Sequence, residues 1–280
     1  MVVAALAAGL ERLRAHAPGV LVGEDAEAVH QARVATRRMR SDLRTFRPLV
    51  DRAWADSIRE ELRWLAGLLG EVRDTDVLLA RLQVQAAELE DGDRAASAVL
   101  LGRLEDQRAT RRAVLVAALE GDRYREIVHV LEKAIAAPLL TPEADRPAIE
   151  TLPRLVAAPW GRLRKAVSEL SAEPSDDELH AVRIGAKKTR YATEAAEAVC
   201  GKPARRLARA LAGVQAVLGD LQDAVVAEEW LRAAPPGKGR DAIVAGQLVA
   251  GQRRAAAKAR ASFPRAWKAA SKKSLRSWLS

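Results

Sequence analysis

The chain is short of cysteine, of aromatic residues and of long apolar runs, and each shortage removes a class of protein. Cys200 is the only cysteine among 280 residues. An intrachain disulfide and a Cys-rich zinc site are therefore excluded, and the composition suits a reducing cytoplasm. Aromatic side chains make up 4% of the residues, while Ala, Leu, Arg and Glu, all strong helix formers, fill most segments. No alternating run demands a sheet. Uninterrupted apolar stretches fall short of the roughly 18 residues that a membrane-spanning helix needs, so no span is expected. The N-terminal MVVAALAAGLERLRAH lacks a basic region ahead of its apolar residues and is broken by Glu11. It reads as a helix rather than a signal peptide. There is no HExxH, no phosphate-cradling glycine loop and no nucleophile motif. No cofactor, no bound metal and no enzymatic activity are expected.

What the chain has is charge. The formal net charge is +9. Nine Lys and Arg and no acid follow Asp241, and without them the remaining 37 bases balance the 37 acids. An anion site in the body must come from clustering. The basic end, 263–280, reads as a solvated tail.

Pro138, Pro142, Pro147 and Pro153 divide the chain. The expected organisation is one domain over 1–280. It comprises a first helical half at 1–137, a Pro-rich connection at 138–153, a second helical half at 154–262 and the tail. Helices are predicted at about 2–16, 25–48, 52–90, 94–120, 122–137, 154–171, 176–199, 202–233 and 240–262. A second break falls at Pro235, Pro236, Gly237 and Gly239. The halves also resemble one another. ERLR at 11–14 matches GRLR at 161–164, and VHQARVATRRMR at 29–40 matches LHAVRIGAKKTR at 179–190, both 150 residues apart. LGEVRDTDV at 69–77 then matches LGDLQDAVV at 218–226, 149 apart. This predicts an all-α fold built from a duplicated unit of about 150 residues, far longer than a solenoid repeat.

The second helix of each half carries the chemistry. Acids crowd its start: Glu24, Asp25 and Glu27 in one, Asp176, Asp177 and Glu178 in the other. They suit the positive end of the helix dipole, and Ser175 with Glu178 reads as a capping box. His30, Arg33, Arg37, Arg40 and Arg44 then follow at helical spacing on one face, a stripe about 21 Å long at 1.5 Å per residue. Ala28, Ala32, Ala35, Met39, Leu43 and Phe46 fall opposite and face the core. The second copy has His180, Arg183, Lys187 and Arg190, with Tyr191 beside the stripe. Arg38 and Lys188 flank the two stripes. Neither 29–40 nor 179–190 holds an acid, although like charges a turn apart repel by a few tenths of a kcal/mol per pair. Two such unrelieved stripes point to a multivalent external anion. The competing reading is a solvated face salt-bridged to Asp74, Asp76, Asp220 and Asp223. Arg59, Arg63 and Arg73 share one face of the third helix. They either extend the basic surface or pair with Glu60, Glu71 and Asp74.

At these residues the sequence resembles the CHAD family, the conserved-histidine alpha-helical domain, over roughly 10–267. The resemblance implies two pseudosymmetric antiparallel helical bundles with a basic groove or pore between them. It also implies binding of inorganic polyphosphate and association with bacterial polyphosphate granules and their proteins. The family's phosphate-facing positions carry over to His30, Arg33, Arg37, Arg40, His180, Arg183, Lys187 and Arg190, with Arg14 and Arg164 as weaker candidates. Gln222 replaces the Arg73-like residue in the second copy, so no binding role is assigned there. Such domains are often fused to a triphosphate-hydrolysing CYTH domain, whose glutamate-rich metal motif is absent here. The rival readings are a single-stranded nucleic-acid binder using the same surface, an enzyme acting on phosphoanhydrides, and a scaffold that touches membranes or partners through the tail with Trp267 and Trp278.

Overall fold

A computed structural model describes residues 1–23, 26–234 and 239–279. The predicted helix-starting acids Glu24 and Asp25, and Pro235, Pro236 and Gly237 of the second break, lie outside them. Among the described residues the chain is helical throughout. Its helices are α1 (Val2–Val22), α2 (Ala26–Thr45), α3 (Arg52–Ala87), α4 (Asp91–Glu120), α5 (Asp122–Ala136), α6 (Ala148–Ser168), α7 (Asp176–Ala195), α8 (Glu197–Ala233) and α9 (Arg240–Ala270), joined by short 3-10 turns. Among the described residues, extended pairing is confined to an isolated antiparallel bridge between Val50 and Leu140.

The chain forms two compact units. The first joins Met1–Asp76 with Gln107–Thr151, and the second joins Val77–Asp106 with Leu152–Ser280. The reason that 77–106 leaves the sequence's first half lies in its packing. Leu78, Leu79 and Leu82 of α3 and Leu100 and Leu104 of α4 are buried with Ala227 and Leu231 of α8 and Val244 and Leu248 of α9.

In the first unit α1 packs on α2 through a glycine. A Cβ at Gly9 would sit 2.2 Å from Met39 Cγ, so only glycine admits this approach. α1 ends where Gly23 turns left-handed (φ 95°) and returns its N–H to Gly19 O at 3.1 Å. Arg112 Nη2 donates to Val20 O at 2.5 Å, satisfying another free carbonyl of that last turn. The buried stripe of α3, Ile58, Leu62, Leu65, Leu69 and Val72, recurs 149 residues later on α8 as Leu207, Leu211, Val214, Leu218 and Leu221. Val29, Ala32, Thr36 and Met39 of α2 likewise match Leu179, Val182, Ala186 and Thr189 of α7, all buried.

Proline positions differ from expectation. α1 continues through Pro18, α6 starts at Ala148 and so contains Pro153 as well as the expected Pro159, and α9 runs through Pro264 to Ala270. Each interior proline removes one N–H and costs up to about 3 kcal/mol, an amount that burying one or two large side chains offsets. α6 does this with Leu152, Val156, Trp160 and Leu163. The break between α7 and the long part of α8 is Gly201, at φ 62° and ψ −136°.

The basic end is not a frayed tail. Trp267 stacks on buried Trp160 with ring centroids 5.7 Å apart, and Leu275, Trp278 and Leu279 pack against the same core. Among the described residues α8 alone has the length and mean hydropathy to cross a membrane. Its buried stripe lines the core, and its exposed side carries Lys202, Arg205, Arg206 and Arg209.

Candidate anion-binding site

In the first unit, α2 divides cleanly between core and charge. Ala28, Val29, Ala32, Ala35, Thr36, Met39 and Leu43 are buried. Thr36 is accommodated because its hydroxyl donates to the carbonyls of Ala32 and Arg33, both at 3.1 Å. On the other face His30, Arg33, Arg37 and Arg40 are half-buried and Arg44 is exposed. Arg33 lies over Gly70 of α3, its guanidinium 3.8 Å from where a Cβ would stand, and pairs with Asp74 at 2.6 Å. Asp74 is 66% exposed, and pairs this wet are worth about 0.2–1 kcal/mol. A multivalent anion can displace that partner. Asp76 is not available to the stripe, because Arg108 holds it at 2.6 Å. Arg38 turns away from the stripe to Asp42, a buried carboxylate 3.1 Å off, which gives it a structural role.

α3 adds arginines that do both things open to them, lying near the stripe and pairing with acids. Arg73 faces His30. Arg59 and Arg63 face Arg40 and Arg44 at the other end of the stripe while also bonding Asp56 at 2.5 Å and Glu60 at 2.9 Å. Burial foremost, then Arg73 and more weakly Arg37 and Arg33, hold His30 below the ordinary imidazole value, against an opposing pull from Glu27. Burial and then the neighbouring guanidinium groups also lower Arg40 and Arg44. Among the described residues no ion pair engages Arg40, Arg44 or Arg73.

The second unit builds its stripe on α7, which starts at the expected capping box. Ser175 Oγ accepts from the Glu178 N–H at 3.2 Å, and Glu178 Oε2 accepts from the Ser175 N–H at 2.8 Å. A further N–H from Ser171 at 3.0 Å helps to hold the Glu178 carboxyl down to about 2. Arg260 of α9 pairs with Asp176 and donates to Pro174 O at 3.0 Å, tying the loop before α7. Arg183 lies over Gly219, its Nε 3.9 Å from the Cβ position, as Arg33 lies over Gly70. Arg183 has no ion pair among the described residues, and its buried Nε has no partner. His180 Nδ1 sits 2.5 Å from Gln222 Oε1. Lys187 is half-buried and Lys188 exposed. Arg190 pairs with Glu194 at 3.5 Å and stacks over Tyr191, 4.9 Å from the ring centroid. Tyr191 itself is buried, so it is a core residue and no platform for a ligand. On the preceding helices, Arg14 pairs with Glu132 of α5, while Arg164 of α6 is exposed.

Each unit therefore presents a helix face of guanidinium, ammonium and imidazole groups with few carboxylates beside it. Such a face suits a ligand carrying several negative oxygens in a row, because a guanidinium can bond two at once. Among the described residues no three His, Cys, Asp or Glu side chains gather as a metal-holding group.

A helical fold with a histidine-led basic stripe in each of two units defines a CHAD-type protein, and the chain belongs to this family: the CHAD domain model matches residues 4–232. Two Mycobacterium tuberculosis relatives, the uncharacterised proteins MT2285 and Rv2226, are each 31% identical over 219 residues. These matches cover 73% of this chain and 40% of each relative's length. Among solved structures, PptA from Streptomyces chartreusis superposes with a TM-score of 0.76 at 26% identity, covering 95% of this chain and 98% of its own. The CHAD domain from the plant Ricinus communis gives 0.67 at 26% identity, covering 99% and 89%.

Proposed function

We propose that the chain binds inorganic polyphosphate without turning it over, through the basic stripes of α2 and α7, and that it acts in the cytoplasm at polyphosphate granules. One observation carries this reading. Arg40 and Arg44 lie beside other arginines, and neither they nor Arg73 and Arg183 have an ion-pairing carboxylate among the described residues. Burial first, and neighbouring guanidinium groups second, disfavour the charge on Arg40 and Arg44, and a bound polyanion offsets both. The two stripes are read as copies of one device. His30, Arg33, Arg37, Arg40 and Arg44 serve one copy, and His180, Arg183, Lys187 and Arg190 serve the other. Arg73 joins the first. Lys188 and Arg164 lie at the margin, and Arg14 and Arg38 already have carboxylate partners.

The test is calorimetric titration with long-chain polyphosphate, comparing wild type with Arg40→Gln plus Arg183→Gln. Affinity should fall at least tenfold in the variant while far-UV circular dichroism stays helical. Unchanged affinity would remove the stripes from the site. In parallel, phosphate release from polyphosphate or nucleoside triphosphate with Mg²⁺ or Mn²⁺ should stay at background. Turnover that survives purification and disappears in His30→Ala would make the chain an enzyme.

A further inference from the structure

The last turns of α3 meet α9 in the second unit across a polar seam that contains no residue of the basic stripes. Gln252 of α9 is 3% exposed, and an amide so deeply placed needs partners. It finds them on α3. Gln252 Nε2 donates to Gln85 Oε1, Gln85 Nε2 donates to Leu248 O at 3.0 Å, and Arg81 Nε donates to Gln252 Oε1 at 2.6 Å. The approach is close enough to require glycine, because a Cβ at Gly251 would stand 1.8 Å from Gln85 Nε2. Glycine weakens a helix interior relative to alanine, and this contact explains its place within α9. The relay engages one nitrogen of Arg81 and leaves two. Its Nη1 and Nη2 have no hydrogen-bond or ion-pair partner among the described residues, and neither is buried. Exposed Arg254 of α9 is also without a partner among the described residues, and both arginines line an open groove of about 560 Å³ between α3 and α9. Glu88 lines the same groove two turns, about 10 Å, farther along α3.

We propose that this groove binds a small phosphate monoester whose other end carries hydroxyl groups, the chemistry of a sugar or polyol phosphate. The two free nitrogens of Arg81 form the flat edge that takes two oxygens of one phosphate, and Arg254 adds the second positive charge that a dianion calls for. Gln252, held in the core, keeps that edge from swinging, so less side-chain freedom is lost on binding. Glu88 sets the other limit. Its carboxylate accepts hydroxyl donors and repels a second phosphate, so the groove suits one anionic head and disfavours an extended phosphate chain. Among the described residues no aromatic side chain lines it, which leaves a nucleobase without a stacking partner. The volume falls within the range of small-molecule sites, about 300–1,000 Å³. This site stands apart from the stripes and does not rest on polyphosphate binding.

The experiment is calorimetric titration of the full chain with glucose 6-phosphate, inorganic phosphate, gluconate and glucose at fixed salt. Glucose 6-phosphate should bind wild type at least tenfold more tightly than inorganic phosphate or gluconate, and glucose should not bind. Arg81→Gln should weaken glucose 6-phosphate at least tenfold. Arg254→Gln changes an exposed side chain with no partner to lose, so Tm should hold while affinity falls at least fivefold. Glu88→Gln should weaken glucose 6-phosphate about threefold without weakening inorganic phosphate. Arg40→Gln plus Arg183→Gln, which alters the stripes alone, should bind glucose 6-phosphate like wild type. The inference is overturned if wild type does not take up glucose 6-phosphate at millimolar concentration, or if inorganic phosphate or gluconate binds as tightly. It is also overturned if Arg254→Gln binds like wild type, or if the stripe variant loses glucose 6-phosphate as the groove variants are expected to.

Discussion

His180 Nδ1 lies 2.5 Å from Gln222 Oε1, whereas His30, at the matching position of the first unit, faces Arg73. One amide-for-guanidinium exchange thus gives the two histidines different electrostatic surroundings. The groups facing His30 are Arg73, Glu27, Arg37 and Arg33, three cations and one acid. Burial and these cations depress its pKa, so the folded protein resists protonating it.

The sign of the pH effect follows. Below the ordinary imidazole value of about 6.5 the unfolded chain takes up a proton at His30 that the folded chain refuses. Stability therefore declines as pH falls from there toward the lowered folded value, and none of this decline occurs above it. A bound phosphate chain reverses the local charge and raises the histidine, so binding takes up a proton and tightens as pH drops from 8 to 6. Proton NMR of the imidazole should show His30 titrating below 6.5 in the free protein, upward with polyphosphate, and partly upward in Arg73→Gln. A free-protein midpoint at or above 6.5 would contradict this.

The capping box gives a prediction about stability alone. Ser175→Ala removes the acceptor for the Glu178 N–H and should cost about 1 kcal/mol, measured by urea denaturation. Glu178 is depressed to about 2, so its contribution is present above its ordinary value and is lost as pH falls toward 2. In Ser175→Ala the acid limb of the stability curve should flatten. Polyphosphate affinity should change little, because the cap sits ahead of the stripe.

The C-terminal segment should matter for folding more than for charge. Trp160→Ala removes a buried ring stacked on Trp267 and should cost about 3 kcal/mol. Deletion after Pro264 strips Trp267, Ala270, Leu275, Trp278 and Leu279 from the second unit's core and should lower Tm by several degrees. Truncation is therefore a poor probe of the tail's charge. Neutralising Lys268, Lys272 and Lys273 to Gln keeps the apolar anchors and should weaken polyphosphate binding only modestly. A tenfold loss there, with Arg40→Gln plus Arg183→Gln binding normally, would place the site on the tail.

Local physics was legible in the sequence where neighbours in the chain are neighbours in space. Turn spacing on α2 separated Met39 and Leu43 from Arg33 and Arg37, and the SxxE pattern marked the start of α7. The all-helical fold followed from composition and period. Illegible was whatever depended on distant packing. Pro18, Pro153 and Pro264 read as helix ends because one lost N–H is a local penalty, while the burial that outweighs it comes from other helices. Segment 77–106 read as part of the first half because nothing local reveals that Leu82 and Leu104 pack against Leu231 and Leu248. The same holds for the basic end, whose charges are contiguous while its anchor, Trp160, lies more than a hundred residues away. That Arg59 and Arg63 lie near Arg40 and Arg44 while pairing with Asp56 and Glu60 is likewise a matter of packing between helices.

The sharpest division is between polyphosphate and single-stranded nucleic acid, since both present a row of phosphates to the same cations. If six to eight cations engage, log K should fall with log salt at a slope of about −4 to −6, taking roughly 0.7 per contact. Both ligands would share that slope, so salt cannot separate them. Bases add affinity only where an aromatic or guanidinium plane stacks on them or a donor reads their edges, worth about 1–3 kcal/mol per base. Tyr191, the aromatic residue beside the second stripe, is 5% exposed and covered by Arg190, so it offers no face to a base. Bases then find no aromatic partner beside the stripes, and each guanidinium that stacks on a base is one fewer for a phosphate. Long-chain polyphosphate should therefore outcompete single-stranded DNA or RNA at equal phosphate concentration and about 150 mM salt, with a duplex competing no better. The measurement is competition against labelled polyphosphate with wild type and with Arg183→Glu plus Lys187→Glu. Nucleic acid that competes equally or better, and loses that ability in the variant, would reassign these stripes to nucleic-acid binding.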